Sequence, residues 1–448
     1  MLEYLVIAGG FVSFLLAMGV GANDVANSFA TSVGAKVLTL KQALVIASIC
    51  ECGGALLLGS HVMNTMRKGI GNIDCYEDNP ETLMYGMFSV LIGVSMWLAI
   101  ATYGGYPVST THSCVGGITG MIIATKGTQC IIWTAGPLKG LSGILLSWLF
   151  SPLLSGIAAA SIFALLRFFI LTSTNSFQRA KKLYPLILFS TFLINSFFII
   201  YKGGKGLGVA KISITTSSLY AVSIAGGLTI IITPVIWGYL REDTEKTQKQ
   251  LELTDIERVS APPMSKDIQV IEEYPAETEQ IFRYLQVFTA ICESFAHGAN
   301  DVANAVGPYA ALYLIGQSEG IIGNKNEMGL NSYWILGIGG AGISIGLLLF
   351  GKKMIMILGE KACKLTPSRG FSIEMASTSI ILVGSRLGIP LSTTHCQVGA
   401  TYAIGLFDCK NNVNWVLFRK IIFGWFITLI VTGLLSGFIS IGILHFVE

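Results

Sequence analysis

The sequence predicts an all-α polytopic membrane protein of about twelve membrane helices, some discontinuous or re-entrant, arranged as an inverted internal repeat. Three observations carry this. Of 448 residues, 52% are hydrophobic and only 12% charged, about half the roughly 25% charge of a soluble domain. Apolar stretches of roughly 20 residues, the length that crosses a bilayer, recur along most of the chain. The heptapeptide GANDVAN occurs twice, at 21–27 and 298–304.

Full spans are expected near 2–20, 43–60, 83–103, 141–171, 185–201, 214–240, 285–315, 333–358, 371–388 and 415–446, with shorter membrane segments at 108–125 and 392–408. No lipid-facing strand pattern is present, so these segments must satisfy their backbone groups as helices. The first stretch carries Glu3 where a secretory leader would be basic and has no convincing cleavage site, so it reads as a retained span. Nine cysteines lie mostly in apolar stretches without CxxC spacing and read as packing residues rather than metal ligands. A net charge of +3 with no basic run gives no reason to expect nucleic acid.

One segment breaks the apolar pattern. Residues 241–280 hold five Lys/Arg and eleven Asp/Glu, a solvated linker, partly helical or disordered. It divides the chain into a first membrane half, 1–240, and a second, 281–448. Each half opens with GANDVAN and later carries a Pro-x-Ser-Thr-Thr-His run, PVSTTH at 107–112 and PLSTTH at 390–395. From Asp24 to Ser109 is 85 residues and from Asp301 to Ser392 is 91. This is an internal duplication, with repeat cores at about 1–135 and 285–410 and additional helices at 141–240. Seven membrane elements precede the linker, and an odd number inverts the second copy. With both termini outside and the linker cytoplasmic, nine of the 29 Lys and Arg fall outside (Arg67, Lys68, Lys126, Lys139, Lys202, Lys205, Lys211, Lys325, Arg386), in accord with the positive-inside tendency.

An ionised Asp at the bilayer centre is disfavoured by roughly 2.5 to 3.5 kcal/mol, so Asp24 and Asp301 need compensation. Gly21 and Gly298 permit a helix break. A break would expose carbonyls beside Asn23, Asp24, Asn27 and their twins Asn300, Asp301 and Asn304, the hard oxygen ligands that Na⁺ takes. In the other motif, Ser109 and Ser392 stand where a helix N-cap is expected. A helix start offers free N–H groups and partial positive charge to an anion, and Thr110, Thr111, Thr393 and Thr394 add hydroxyls suited to a tetrahedral oxyanion. Discontinuous helices meeting near the midplane are the layout of a secondary transporter. Two aspartates beside an anion would repel it unless Na⁺ or protons enter too, so the expectation is a symporter, with Na⁺ favoured by the Asn residues and hydroxyls.

Other residues admit two readings. A single Asn-Asp pair in a helix is ordinarily an interhelical hydrogen-bonding pair, but identical duplication argues against that here. Most glycines serve close helix packing. His112 and His395 fit either proton carriers or structural hydrogen-bonding groups. Glu51 and Glu374 are the other acids within apolar spans and are candidate cation ligands. Asp74, Glu77 and Asp78 read as solvated loop.

GANDVAN in each half, PVSTTH, PLSTTH and the GFSIEMAS that precedes the latter together resemble the inorganic phosphate transporter (PiT) family. The resemblance covers about 1–135 and 285–410. It implies a cytoplasmic central loop, dimerisation, and cation-coupled uptake of inorganic phosphate across a plasma or bacterial inner membrane, with Na⁺ or H⁺ coupling and in some members a metal–phosphate complex. It assigns Asp24, Asn27, Asp301 and Asn304 to the central site and Ser109, Thr110, Thr111, Ser392, Thr393 and Thr394 to phosphate. Two departures stand out. Many members carry an acid in the third span, where MYGMFSVLIGVSMW has none, and Glu51 has no acidic twin in GIGGAGISIGLLLFG. Sulfate transport is the nearest alternative, and an intramembrane hydrolase built on an aspartyl dyad is a remote one, since a dyad needs no duplicated hydroxyl-rich helices.

Overall fold

A computed structural model describes residues 2–136, 139–201, 212–258, 274–318, 332–361, 364–408 and 413–447. Part of the acidic linker, four of the lysines assigned outside (Lys202, Lys205, Lys211 and Lys325), Cys363 and Cys409 lie outside the described residues. Among those described, fifteen α-helices account for nearly all structure, with one isolated antiparallel bridge between Gly71 and Ile131. In the first half they are α1 (Leu2–Asn23), α2 (Ala26–Gly34), α3 (Leu40–Leu58), α4 (Ser60–Lys68), α5 (Pro80–Gly104), α6 (Thr110–Lys126), α7 (Gly140–Leu166), α8 (Ser176–Ile200) and α9 (Ile214–Arg258). In the second they are α10 (Ala276–Gln317), α11 (Trp334–Phe350), α12 (Lys352–Lys361), α13 (Pro367–Leu387), α14 (Thr393–Asp408) and α15 (Trp415–Val447).

Among the described residues, seven helical stretches are long and apolar enough to cross a membrane, from Glu3–Gly34 to Trp415–Val447. Burial inverts the order of a soluble protein. Tyr4, Phe11, Leu149 and Phe438 face outward, while Asp24, Glu51, Glu293, Asp301, Arg369 and Glu374 are buried. Polar groups at that depth are tolerated only when they face the bundle interior and find partners.

Helix boundaries follow local chemistry. Thr39 and Gln42 form a capping box at the start of α3. Pro80 and Pro367 open α5 and α13, where a missing N–H costs nothing. Both helices end on left-handed glycines, Gly105 at φ 74° and Gly388 at φ 67°. Each such glycine lies four residues before a serine, Ser109 or Ser392, that starts the next helix. The serine Oγ accepts the backbone N–H of His112 in one case and of His395 in the other, both at 3.3 Å, the N-caps the sequence predicts.

Packing repeats the same theme. The GANDVAN helices α1 and α10 touch at the centre; α1 is flanked by α5 and α11, α10 by α13 and α3. The short helix α6 lies on α15 and α5, and α14 on α7 and α13. Helices α8 and α9 pair with each other and lean on α10.

Two expectations are corrected. The GANDVAN glycines do not break their helices. In the first copy the break falls later, at Asp24–Val25, where Asn27 and Ser28 donate their N–H groups to carbonyls three residues back at 3.0 and 3.1 Å. In the second copy α10 runs unbroken through Gly298–Asn304. The glycines serve close approach: a Cβ on Gly21 would overlap the backbone carbonyl of Ile343 on α11, and one on Gly298 that of Glu51 on α3. The cysteines are not all packing residues either. Cys75 and Cys130 form a disulfide across 55 residues, while Cys50, Cys52, Cys114, Cys292 and Cys396 are free. The pair sits in the two loops beyond α4 and α6, separated in sequence by two helices, so spacing gave no sign of it.

Candidate functional site

The two Ser-Thr-Thr helix starts meet head to head. Ser392 Oγ donates to Ser109 Oγ at 2.9 Å, so the N-termini of α6 and α14 converge on one point with the GANDVAN residues beside them. Asp24 accepts from Thr110 Oγ1 and Thr394 Oγ1, each at 2.6 Å, and from Asn27 Nδ2. One of those hydroxyls comes from each half of the chain. Asp301 has the matching set. Thr393 Oγ1 donates at 2.7 Å, Asn304 Nδ2 at 2.6 Å and Asn300 Nδ2 at 3.1 Å, and Thr111 Oγ1 stands 3.5 Å away. Asn304 Nδ2 also reaches Thr110 and Thr111, and Asn27 Nδ2 reaches Thr394, all at 3.1 Å. Charged hydrogen bonds to hydroxyls and amides are what makes a buried carboxylate tolerable.

Two oxygens are left over. The amide oxygens Asn27 Oδ1 and Asn304 Oδ1 are buried and have no hydrogen-bond partner, which is unusual for buried polar atoms. Each belongs to a residue bonded to a central aspartate. A carboxylate, an amide oxygen and hydroxyl oxygens form a hard donor set that suits Na⁺ or Mg²⁺ rather than a soft metal.

Asn23 and Asn300 are braces. Asn23 donates to Thr102 Oγ1 and to the Tyr106 carbonyl, both at 3.1 Å, and accepts Val108 N–H at 3.0 Å. Asn300 donates to the Leu391 carbonyl at 2.9 Å and accepts from Ser385 Oγ at 3.3 Å. Each thus ties its GANDVAN helix to the segment leading into the neighbouring helix start. The histidines that close the two runs form a second tie. His112 Nδ1 lies 3.1 Å from the Trp425 carbonyl and His395 Nδ1 2.9 Å from that of Trp148. Each ring also lies against the opposite tryptophan, with centroids at 3.7 Å for His112–Trp148 and 3.6 Å for His395–Trp425. That arrangement fixes α6 and α14 against α15 and α7.

The other two candidate acids, Glu374 and Glu51, have partners of their own. Glu374, on α13, accepts from Thr31 and Ser32 of α2 and from Gln286 and Thr289 of α10, at 2.6, 2.7, 3.0 and 2.6 Å. Glu51, on α3, accepts from Ser294 Oγ at 2.9 Å and stands 2.8 Å from His297 Nδ1. His297 Nε2 in turn lies 3.0 Å from Asp301 Oδ2, a close contact not aligned as a hydrogen bond. Sequence reasoning missed His297 and Glu293, the latter bonded to Ser377 Oγ. The signal was present: Glu293, His297 and Asp301 recur every four residues, one face of a helix. At the place of His297 the first copy has Val20, so the imidazole near both aspartates comes from the second half.

A polar, doubly built centre inside a shell of apolar helices defines an integral membrane carrier. Comparison with known proteins names the cargo. The phosphate transporter family matches residues 20–436. A protein of Pyrococcus abyssi described as a "putative phosphate permease" is 37% identical over 95% of this chain and 94% of its own length. Inorganic phosphate transporter 2-1, chloroplastic, of Arabidopsis thaliana is 34% identical over 94% of this chain and 69% of its own. A solved sodium-dependent phosphate transporter superposes with a TM-score of 0.83 at 31% identity, covering 99% of this chain and 100% of that one. The chain belongs to the phosphate transporter family: it is a membrane transporter of phosphate and not an enzyme.

Proposed function

We propose that this protein is a Na⁺-coupled phosphate symporter working by alternating access, its phosphate held between the N-termini of α6 and α14 and its cations beside Asp24 and Asp301. The observation that carries the reading is the crossed pairing of the two halves: each aspartate takes a threonine hydroxyl from its own half and a second contact from the other. In the loaded site Ser109, Thr110, Thr111, Ser392, Thr393 and Thr394 turn hydroxyl and N–H donors to the oxyanion. Asn27 and Asn304 give their unpartnered oxygens to the cations, and Asn23 and Asn300 hold the helix starts in place. Neutralising phosphate together with two carboxylates requires cations to enter with it, which is the physical origin of coupling. Glu51 and Glu374 complete the cation route on the α10 side.

The matched helix pairs support an inverted repeat with cores at about 1–135 and 285–410. The Cys75–Cys130 disulfide supports an outside N-terminus, because that topology puts both cysteines outside, and disulfides persist in oxidising compartments. By parity the C-terminus is then also outside, the linker cytoplasmic, and the membrane the cell or inner membrane; a homodimer is the assembly we expect. One observation favours a second cargo form. Ligand atoms of Asp24, His297 and Asp301 lie within 4.8 Å of one another, close enough to share a divalent ion, so a metal–phosphate complex driven by H⁺ is the competing reading.

Purified protein in liposomes separates these. We expect radiolabelled phosphate uptake under an inward Na⁺ gradient, insensitive to excess sulfate and to divalent chelation, and lost in Asp24→Asn and Asp301→Asn. Uptake that follows only a proton gradient and stops with chelator would reject Na⁺ coupling in favour of metal–phosphate, and strong sulfate competition would change the anion.

A further inference from the structure

A slot of about 1370 Å³ runs between α1, α5, α11 and α12, larger than the roughly 300–1,000 Å³ of pockets for drug-sized ligands. Its walls are apolar along Leu15 to Ala22 of α1 and along Met96 and Ala99 of α5, and its open end carries Lys352 and Lys353. Both lysines are exposed, and no ion pair joins either to an acidic side chain among the described residues. Lys353 Nζ donates to the Tyr103 carbonyl at 2.6 Å, which holds it at the rim. Two cations at one end of an apolar channel suit an amphiphile with an anionic head. A second copy of this chain would bring like charges together there.

We propose that the slot binds one anionic phospholipid, its phosphate at Lys352 and Lys353 and an acyl chain along α1 and α5. Basic pockets between membrane helices are known to take acidic lipid heads. Ala22 and Thr102 also line the slot, Thr102 next in sequence to the Tyr103 whose carbonyl holds Lys353. Thr102 Oγ1 accepts from Asn23, the brace that also holds Val108 one residue before the Ser109 cap. The lipid therefore packs against the joint that positions the start of α6 and stabilises it.

Native mass spectrometry of the full-length protein in detergent, titrated with phosphatidylglycerol or phosphatidylcholine, tests this without reference to transport. We expect one tightly held phosphatidylglycerol favoured about thirtyfold over phosphatidylcholine, from roughly fivefold per lysine near a charged head. The preference should vanish in Lys352→Gln/Lys353→Gln and survive in Lys352→Arg/Lys353→Arg. Ala99→Trp, at an exposed wall position, should remove the bound lipid while both lysines remain. In liposomes, the ratio of phosphate uptake with and without phosphatidylglycerol should exceed threefold for the parent and fall to one for the Gln pair. Equal binding of the two lipids by the parent, or an undiminished preference in the Gln pair, overturns the assignment.

Discussion

The four threonines of the helix starts are chemically alike, yet their contacts rank them. Thr110 Oγ1 donates a hydrogen bond to Asp24 at 2.6 Å and accepts from Asn304 at 3.1 Å, so it links the halves. Thr394 and Thr393 each make one short bond to an aspartate, at 2.6 and 2.7 Å. Thr111 differs: it lies 3.5 Å from Asp301, and its better partner is the Leu391 carbonyl at 3.1 Å. A hydrogen bond to a charged group contributes about 1.5–3 kcal/mol and a neutral one about 0.5–1.5. At about 1.4 kcal/mol per factor of ten, Thr110→Val, Thr393→Val and Thr394→Val should each lower kcat/KM for phosphate by roughly 10- to 150-fold, whereas Thr111→Val should cost only about 2- to 12-fold. Thr→Ser should restore most of the activity at every position. The assay is the initial rate of uptake by proteoliposomes across a phosphate series, normalised to inserted protein. A Thr111→Val defect as large as that of Thr110→Val would refute the ranking and mean that the contacts to the aspartates do not set each hydroxyl's weight.

Three further outcomes follow from burial and packing. Arg369 is fully buried, its Nε and Nη2 at 2.8 and 2.5 Å from Asp408 Oδ2; Asp408→Leu should cost about 3–5 kcal/mol of stability, read as a lower melting temperature in detergent, and Arg369→Met in the same chain should recover most of it. Before reduction Cys75 and Cys130 should resist alkylation while free thiols react after unfolding, and Cys75→Ser should lower thermal stability by about 4 kcal/mol, the chain-entropy value for a loop of 55 residues; full labelling of both thiols in unreduced protein would remove the bridge. Gly298→Ala should abolish folded protein because its Cβ meets the Glu51 backbone, whereas Gly226→Ala, with nothing within 4 Å, should be neutral or stabilising by up to about 1 kcal/mol; size-exclusion profiles of the two variants decide between them.

Legibility in the sequence tracked repetition. Asp24, Asn27 and the Ser-Thr-Thr runs stand out because each occurs twice, and the N-caps at Ser109 and Ser392 follow from local chemistry that needs no tertiary context. Glycine was ambiguous: at Gly21 and Gly298 the sequence permits either a break or a close crossing, and only the neighbouring helix decides. His297 escaped because it has no twin; Val20 occupies its place, so a reading built on duplication passes over it. The disulfide was hidden by separation, since Cys75 and Cys130 approach only after α5 and α6 have folded between them.

The unequal GANDVAN helices hold their two aspartates differently. The first copy is jointed at Asp24–Val25, but α10 continues for 42 residues, about 63 Å of helix at 1.5 Å per residue, with Asp301 in its interior and Pro308 seven residues further on. It packs on α1, α3, α5 and α13 at once, which holds the Asp301 backbone from four sides. The two halves therefore share their ligands evenly but anchor them unevenly, Asp301 within a continuous helix and Asp24 at the end of one.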